Sequence, residues 1–150
     1  MKRITNKCFI YETLNLVFPN LSILLNNIKD ENDLFNIVAI SKDEKDLELN
    51  VTSFDLESCT FRVNIFLCQN GIKHPSFILD LDLKNKKAKT LSFESQMKPH
   101  IRLDCYTEVD GVIYTNKLAE KDLSSLCKDW LRQIKTHLYR QLVNAQIKVA

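Results

Sequence analysis

Apolar residues near the N-terminus recur at helical spacing in two short runs. The runs are Cys8, Tyr11, Leu14 and Phe18, then Leu21, Leu24, Leu25 and Ile28. Pro19 separates them, and proline disfavours the helical conformation of the residue before it. The pattern therefore predicts two N-terminal helices with a break near Phe18, followed by a polar loop over residues 26–33.

From residue 34 the apolar period changes to the alternation of β-strands. Short β-favouring runs cover residues 34–40, 47–53 and 60–68. In the third run, Phe61, Val63, Ile65 and Leu67 alternate with more polar positions, as expected for a half-buried strand. Polar turns separate the runs, and connections this short favour antiparallel pairing.

Two hairpins are predicted further along the chain. In the first, a loop over residues 85–87 would place apolar residues opposite each other. The resulting pairs are Leu81 with Leu91 and Leu79 with Phe93. In the second, residues 101–106 pair with residues 112–114 through a turn at Asp110-Gly111. These hairpins extend the antiparallel meander.

The chain ends in its strongest helical pattern, a broad apolar stripe with basic residues beside it. The stripe comprises Leu123, Leu126, Cys127, Trp130, Leu131, Ile134, Leu138 and Leu142. Trp130 lies in the middle of the stripe, so we expect its ring to anchor the helix on the sheet. The sequence thus predicts one domain over residues 1–150, an α+β fold whose antiparallel meander sheet curls around a C-terminal helix, with N-terminal helices.

Cysteine usage points to a reducing compartment. The five cysteines are scattered and form no Cys-x-x-Cys pair, which is typical of reduced thiols used as small apolar groups. The basic start of the chain is followed by an apolar stretch that Glu12, Asn15 and Pro19 interrupt, so we expect no signal peptide. No apolar run approaches the length of a membrane span. We therefore expect a cytoplasmic protein that does not associate with membranes.

Charge is unevenly distributed, although the formal net charge is only +2. Acidic residues dominate positions 30–57, whereas basic residues dominate positions 84–102 and the last helix. We expect an acidic surface and a basic surface on different parts of the molecule. A net charge this small does not by itself indicate a nucleic-acid partner.

Three short motifs in the last third of the chain carry a resemblance to a known family. They are Tyr114-Thr115-Asn116-Lys117, Glu120-Lys121 and Asp129-Trp130-Leu131-Arg132. Together they resemble the YqiB-like family of small bacterial proteins, which has Tyr-Pro-Asn-Lys, Glu-Lys and Asp-Trp-Leu-Arg in the same order. Thr115 stands where that family has proline. The resemblance implies a cytoplasmic bacterial protein of similar fold, in a family with a domain of unknown function and no assigned activity or cofactor.

Candidate metal ligands and catalytic residues are few. Asp80 and Asp82 share one face of a strand, but two carboxylates without a third oxygen ligand make a poor site for a hard cation. His74, His100 and His137 lack the paired spacing of zinc ligands. The chain has no Gly-rich phosphate loop and no Gly-x-Ser-x-Gly motif. We expect no metal, no cofactor and no identifiable catalytic residue, which favours a protein that is not an enzyme.

Three functions stay open at this point. The leading hypothesis is a non-catalytic binding or adaptor protein that presents a groove between the sheet and the C-terminal helix to a small ligand or a partner protein. The candidate binding residues are Tyr114, Lys117, Arg132, Lys135 and Arg140. The alternatives are a nucleic-acid-associated protein that uses the basic hairpin and helix face, and a hydrolase with a dispersed site. The sequence does not indicate the oligomeric state.

Overall fold

The computed structural model describes residues 5–40, 46–97, 99–138 and 146–149, with side chains up to residue 136. The helices are α1 (Asn6–Val17), α2 (Leu21–Asn26) and α3 (Lys117–Gln133). The strands are β1 (Asn36–Ile40), β2 (Asp46–Asp55), β3 (Thr60–Gln69), β4 (Ile72–Asp82), β5 (Lys87–Ser95), β6 (Ile101–Asp104), β7 (Tyr106–Val109), β8 (Val112–Thr115) and β9 (Gln146–Val149).

Seven strands form one open antiparallel sheet in the order β6-β5-β4-β3-β2-β1-β9. Strands β1 to β6 follow one another as a meander, and β9 returns from the end of the chain to pair with β1. Strands β7 and β8 form a separate two-stranded sheet. The predicted α+β class is confirmed, with its antiparallel meander, C-terminal helix and N-terminal helices.

The N-terminal helices break where the sequence predicts. Helix α1 begins after Thr5, whose hydroxyl accepts a hydrogen bond from the Cys8 amide, and it ends at Val17. Phe18 leaves the helical conformation in front of Pro19, and α2 begins at Leu21. This break lets both helices direct apolar residues toward the same core.

One face of the sheet carries the main core, and α1 and α3 both cover it. The two helices pack against each other and against β5. The Lys7 ammonium of α1 lies 2.8 Å from a carboxylate oxygen of Glu120 on α3, which links the helices at the surface. The alternation of β3 is confirmed from Phe61 to Ile65, because residues 61, 63 and 65 are buried in this core.

The predicted register of the β4–β5 hairpin is wrong. Leu79 pairs with Thr90 instead of Phe93, and Leu81 pairs with Ala88 instead of Leu91. The turn spans residues 83–86 instead of 85–87, so the pairing next to it moves by three positions. A bulge between residues 78 and 79 reduces this difference to two positions further along the strands. The bulge leaves Leu91 without a Cα partner, and it packs in a satellite cluster.

The second predicted hairpin is correct in its turn and wrong in its first strand. Residues 101–106 divide at Cys105: β6 pairs with β5 of the main sheet, and β7 alone pairs with β8. Cys105 is buried, and its amide donates a hydrogen bond to the Leu91 carbonyl. This buried thiol anchors the point at which the chain leaves the main sheet.

The C-terminal helix ends earlier than its apolar stripe predicts. The α-helical conformation ends at Gln133, and a π-helical turn over Ile134–Leu138 follows it. Gln146–Val149 forms β9, so Lys148 lies on a strand and not on the helix. Leu142 and Arg140, which the sequence assigned to the helix, lie outside the described residues.

Candidate functional site

A groove of about 610 Å³ lies between the sheet and the C-terminal half of α3. The sheet contributes the ends of β3, β4 and β5 nearest the Asn70-Gly71 turn, and α3 contributes the opposite wall. Its apolar lining includes Leu67, Ile72, Phe77, Phe93, Leu126 and Trp130. The volume falls within the roughly 300–1,000 Å³ typical of ligand pockets.

Three aromatic rings form one continuous surface in the groove. Phe77 is buried in β4, and its ring centre lies 5.2 Å from those of both Phe93 and Trp130. The Trp130 ring is stacked on Phe77 at an interplanar angle of 30°, whereas the Phe93 ring is tilted at 48°. Both flanking rings are half-buried, so a ligand can contact them without displacing Phe77 from the core.

Helix α3 sets the position of Trp130 through its own buried residues. Asn116 caps the helix, because its side-chain oxygen accepts hydrogen bonds from the Leu118 and Ala119 amides. Further along, Cys127, Leu131 and Ile134 are fully buried, and they fix which side of the helix faces the sheet.

Trp130 lies at the edge of this buried stripe. It packs on the sheet as predicted, but it is half-buried and forms a wall of the groove. Leu126, predicted to lie beside it in the core, is 41% exposed at the groove. The side chain of Leu138, predicted as another neighbour, lies outside the described part of the chain.

Polar side chains complete the lining of the groove. Asp129 and Gln133 come from α3, and Gln69 and His74 come from the sheet. The Nδ1 atom of His74 is hydrogen-bonded to the Ser95 hydroxyl at 2.6 Å, which orients the imidazole ring. The arrangement suits an apolar group that carries hydrogen-bond donors, because the Asp129 carboxylate can accept them.

The binding residues proposed from the sequence do not form one site in the described part of the chain. Tyr114 is exposed on β8, and Lys117 is exposed at the first turn of α3. Arg132 lies fifteen residues beyond Lys117, about 22 Å along the helix axis at the usual rise. None of these three residues lines the groove.

Two of the proposed basic residues lie beside helix α1. The guanidinium of Arg132 and the ammonium of Lys135 lie 5.9 and 5.6 Å from the centre of the Phe9 ring. Both side chains are exposed, and neither lines the groove. The remaining candidate, Arg140, lies outside the described residues. Cation–π contact between α3 and α1 explains why Arg132 and Lys135 lie over the Phe9 ring.

The predicted separation of acidic and basic surfaces fails at one end of the sheet. The Lys84 ammonium donates a hydrogen bond to the Glu57 carbonyl at 3.2 Å, so the basic β4–β5 turn lies against the acidic β2–β3 turn. Asp80 makes a two-point ion pair with the Arg62 guanidinium. This pairing raises the pKa of Arg62, chiefly through the hydrogen bond to Asp80.

The Asp80 and Asp82 carboxylates both have structural partners. Asp82 accepts hydrogen bonds from the amide and side-chain nitrogens of Asn85, which lower the pKa of Asp82. Asp80 and Asp82 therefore stabilise, respectively, a cross-strand pair and a turn. Among the described residues, no group of three or more His, Cys, Asp or Glu side chains could hold a metal ion.

Two of the five cysteines lie buried near the groove-bearing helix. Cys127 is fully buried on α3, and desolvation strongly raises the pKa of its thiol above the ordinary value of 9.0. Desolvation also raises the pKa of Cys105. Because only the thiolate is a strong nucleophile, burial makes Cys127 chemically inert in the folded state.

We predict that the Cys127 thiol reacts with iodoacetamide only when the protein unfolds. Because the folded pKa lies above the unfolded pKa, this thiol leaves stability unchanged below pH 9.0 and lowers it as pH rises further. The expected slope is about 1.4 kcal/mol per pH unit. Peptide mapping of alkylated protein and urea melts at pH 8 and above test this. Rapid native alkylation of Cys127 would contradict it.

Comparison with known proteins gives no match: no protein-family model, no curated protein and no solved structure is similar to the chain. Within the described part of the chain, no helix has the length and apolar character that a membrane span needs.

Sequence reasoning missed most of the groove's sheet side. Ile72, His74 and Phe93 come from two strands, and they meet only because β4 and β5 pair in the observed register. The available signal was Trp130, a large ring in a stripe otherwise made of smaller apolar residues. The charge pattern of the sequence instead indicates exposed lysines and arginines as binding residues.

Proposed function

We propose that this protein is a non-catalytic binding or adaptor protein whose ligand inserts an apolar group into the groove between the sheet and α3. The ligand is a small molecule or the side chains of a partner protein. The observation that carries this proposal is the pair of half-buried rings, Trp130 and Phe93, that flank the buried Phe77 ring in the groove. Exposed aromatic rings in a concave apolar site are the usual means by which proteins bind apolar groups.

The mixed lining of the groove supports the same function. Ile72, Met97 and Leu126 are between 41 and 51% exposed around the aromatic surface, and exposed apolar groups gathered in one concavity favour association. Asp129 and Gln133 on the same helix provide hydrogen-bonding groups that would orient a ligand. The scattered cysteines favour a site of action in the cytoplasm.

Membership of the YqiB-like family is part of the proposal. Its support is that the three resembling motifs hold structurally important positions: Asn116 caps α3, Glu120 pairs with Lys7, and Trp130 lines the groove. If the resemblance reflects common descent, a structure of a YqiB-like protein should show the same cap, ion pair and aromatic groove. A different topology in such a protein would contradict common descent with the YqiB-like family.

Binding of Nile red, an uncharged dye that fluoresces in apolar surroundings, tests the groove directly. We expect saturable binding to the native protein and at least about tenfold weaker binding to Leu126→Glu, which places a carboxylate at the mouth of the groove. Ile23→Glu is the matched control, because Ile23 lies on α2, is 61% exposed and is outside the groove.

The control variant should bind the dye like the parent protein. Equal loss of dye binding in Ile23→Glu and Leu126→Glu would contradict the proposal, as would the absence of saturable binding. Circular dichroism melts of all three proteins distinguish loss of the site from loss of the fold. Nile red that binds only to partly unfolded protein would also contradict the proposal.

A further inference from the structure

The β7–β8 hairpin forms an arm that has an apolar face outside the main sheet. Its strands pair through Thr107 with Tyr114 and through Val109 with Val112. Residues paired across two strands lie on the same face, so these four side chains share one side of the arm. Val109 and Val112 are each 51% exposed and Tyr114 is 59% exposed, so this face is largely open to solvent.

The opposite face of the arm is turned toward the body at its base, whereas Ile113 nearer the tip of that face is 52% exposed. Tyr106 on that face is half-buried and packs against the Leu91 and Cys105 cluster. Thr115, also on that face, lies 3.5 Å from the Lys89 ammonium. The apolar face of Val109, Val112 and Tyr114 therefore lacks a covering element in the described part of the chain.

An arm of this size does not become stable through its own contacts. Two-stranded hairpins are marginally stable in water, and they usually need a further layer against their apolar face. Leu118, at the first turn of α3 beside the base of the arm, is 77% exposed and extends the apolar surface. The surface has the composition of an interface, with an aromatic residue among β-branched ones.

Charges at the two ends of the arm have opposite signs. Asp110 lies at the tip, where the hairpin turns at Asp110-Gly111, and Glu108 lies next to the tip on the face opposite to Val109 and Val112. Lys117 and Lys121 lie at the base, one helical turn apart on α3. All four side chains are exposed, and among the described residues none of them makes an ion pair.

We infer that the arm docks on a second copy of this chain, with the apolar faces of two antiparallel arms packed against each other. A two-fold axis between the arms places the acidic tip of each on the basic base of the other. Strand β8, which is four residues or about 13 Å long, separates Asp110 from Lys117, and the two-fold axis repeats the same contact at the other end. A single arm that carries both signs is complementary to itself, which favours a second copy over an unrelated partner.

Sedimentation velocity over a concentration series tests the dimer. The native protein should show reversible, concentration-dependent dimerisation. Val112→Lys, which places charges on both sides of the two-fold axis, should weaken dimerisation by at least about tenfold. Thr52→Lys, at an exposed position on β2, is the matched control and should dimerise like the parent protein.

Charge reversal tests the antiparallel arrangement itself. One variant makes the tip basic through Glu108→Lys with Asp110→Asn, which preserves the turn because asparagine also tolerates the positive φ at residue 110. The other makes the base acidic through Lys117→Glu with Lys121→Glu. Each variant alone should dimerise at least about tenfold less than the parent, because like charges then meet at both ends. Mixed together they should form a heterodimer, because opposite charges meet again at both ends.

A protein that stays monomeric at the highest soluble concentration would overturn the inference. Variants that dimerise as the parent does, or a mixture that fails to associate, would overturn the antiparallel arrangement. The groove substitution Leu126→Glu should leave dimerisation unchanged, so this experiment and the dye-binding experiment fail independently.

Discussion

Replacing Phe77 by alanine is expected to lower the free energy of unfolding by about 3–5 kcal/mol, the usual cost of removing a buried aromatic ring. Phe77 is 1% exposed and lies on the core face of a central strand. Its ring contacts Phe93 on the neighbouring strand and Trp130 on α3, so the substitution removes part of the packing between the helix and the sheet. The loss is a large part of the roughly 5–15 kcal/mol that stabilises a domain.

Urea denaturation of the parent protein and of Phe77→Ala measures this difference in the free energy of unfolding. Phe54→Ala is the control, because Phe54 is only half-buried at the periphery of the same core and should cost less. If Phe77→Ala and Phe54→Ala lose the same free energy of unfolding, the central position assigned to Phe77 is contradicted. If Phe77→Ala does not fold, Phe77→Leu should fold with a loss of less than about 1.5 kcal/mol.

Replacing Trp130 by alanine should chiefly remove ligand binding. The sequence alone predicts that this change unfolds the protein, because a fully buried tryptophan costs about 3–5 kcal/mol to remove. The structure lowers the expected loss to about 2 kcal/mol, because the ring is half-buried and only one of its faces stacks on Phe77. Nile red binding should weaken by at least about tenfold.

Dye titration and thermal melts of Trp130→Ala and Trp130→Phe test this prediction together. The phenylalanine variant keeps an aromatic surface over Phe77, so it should retain most of the binding. Arg132→Ala, at an exposed position outside the groove, should leave dye binding unchanged and should cost no more than about 1 kcal/mol of stability, from the lost contact with Phe9. Unaltered dye binding in Trp130→Ala would remove Trp130 from the site.

The elements that the sequence predicts well are those whose apolar pattern and local signals agree. Pro19 and the two apolar runs around it give the break between α1 and α2 because proline acts on its immediate neighbour. The Asp110-Gly111 turn is predicted correctly because this turn requires positive φ at both residues, and an Asp-Gly dipeptide tolerates it. Alternation in β3 succeeds because only one face of that strand packs against the helices.

The elements predicted incorrectly depend on contacts distant in sequence. Leu91 looks like an ordinary strand residue, but it leaves the ladder at a bulge and packs with Cys105 and Leu123. No local pattern reports that contact, so the sequence does not predict the bulge; the three-position difference in register arises at the turn, which spans residues 83–86. In the same way, β9 pairs with β1 across nearly the whole chain, and the helical period before residue 138 gives no sign of it.

The location of the candidate site was predictable only in part. A groove between the sheet and the C-terminal helix was expected, and a groove lies there. Its residues were not identified, because charge draws attention to exposed positions such as Lys117, whereas this groove is mainly apolar. Apolar lining residues look like core residues in a sequence, and only the packing of α3 distinguishes Leu126 from Leu131.

Nuclear magnetic resonance with benzyl alcohol as the ligand tests the central claim most directly. Trp130 is the only tryptophan, so its indole N–H gives a single assignable signal in the groove. The account predicts that benzyl alcohol shifts this signal and the amides of Ile72, Phe77 and Gln133, with saturation. Saturable shifts confined to the β7–β8 arm, or an indole signal that does not move, would contradict the assignment of the groove as the binding site.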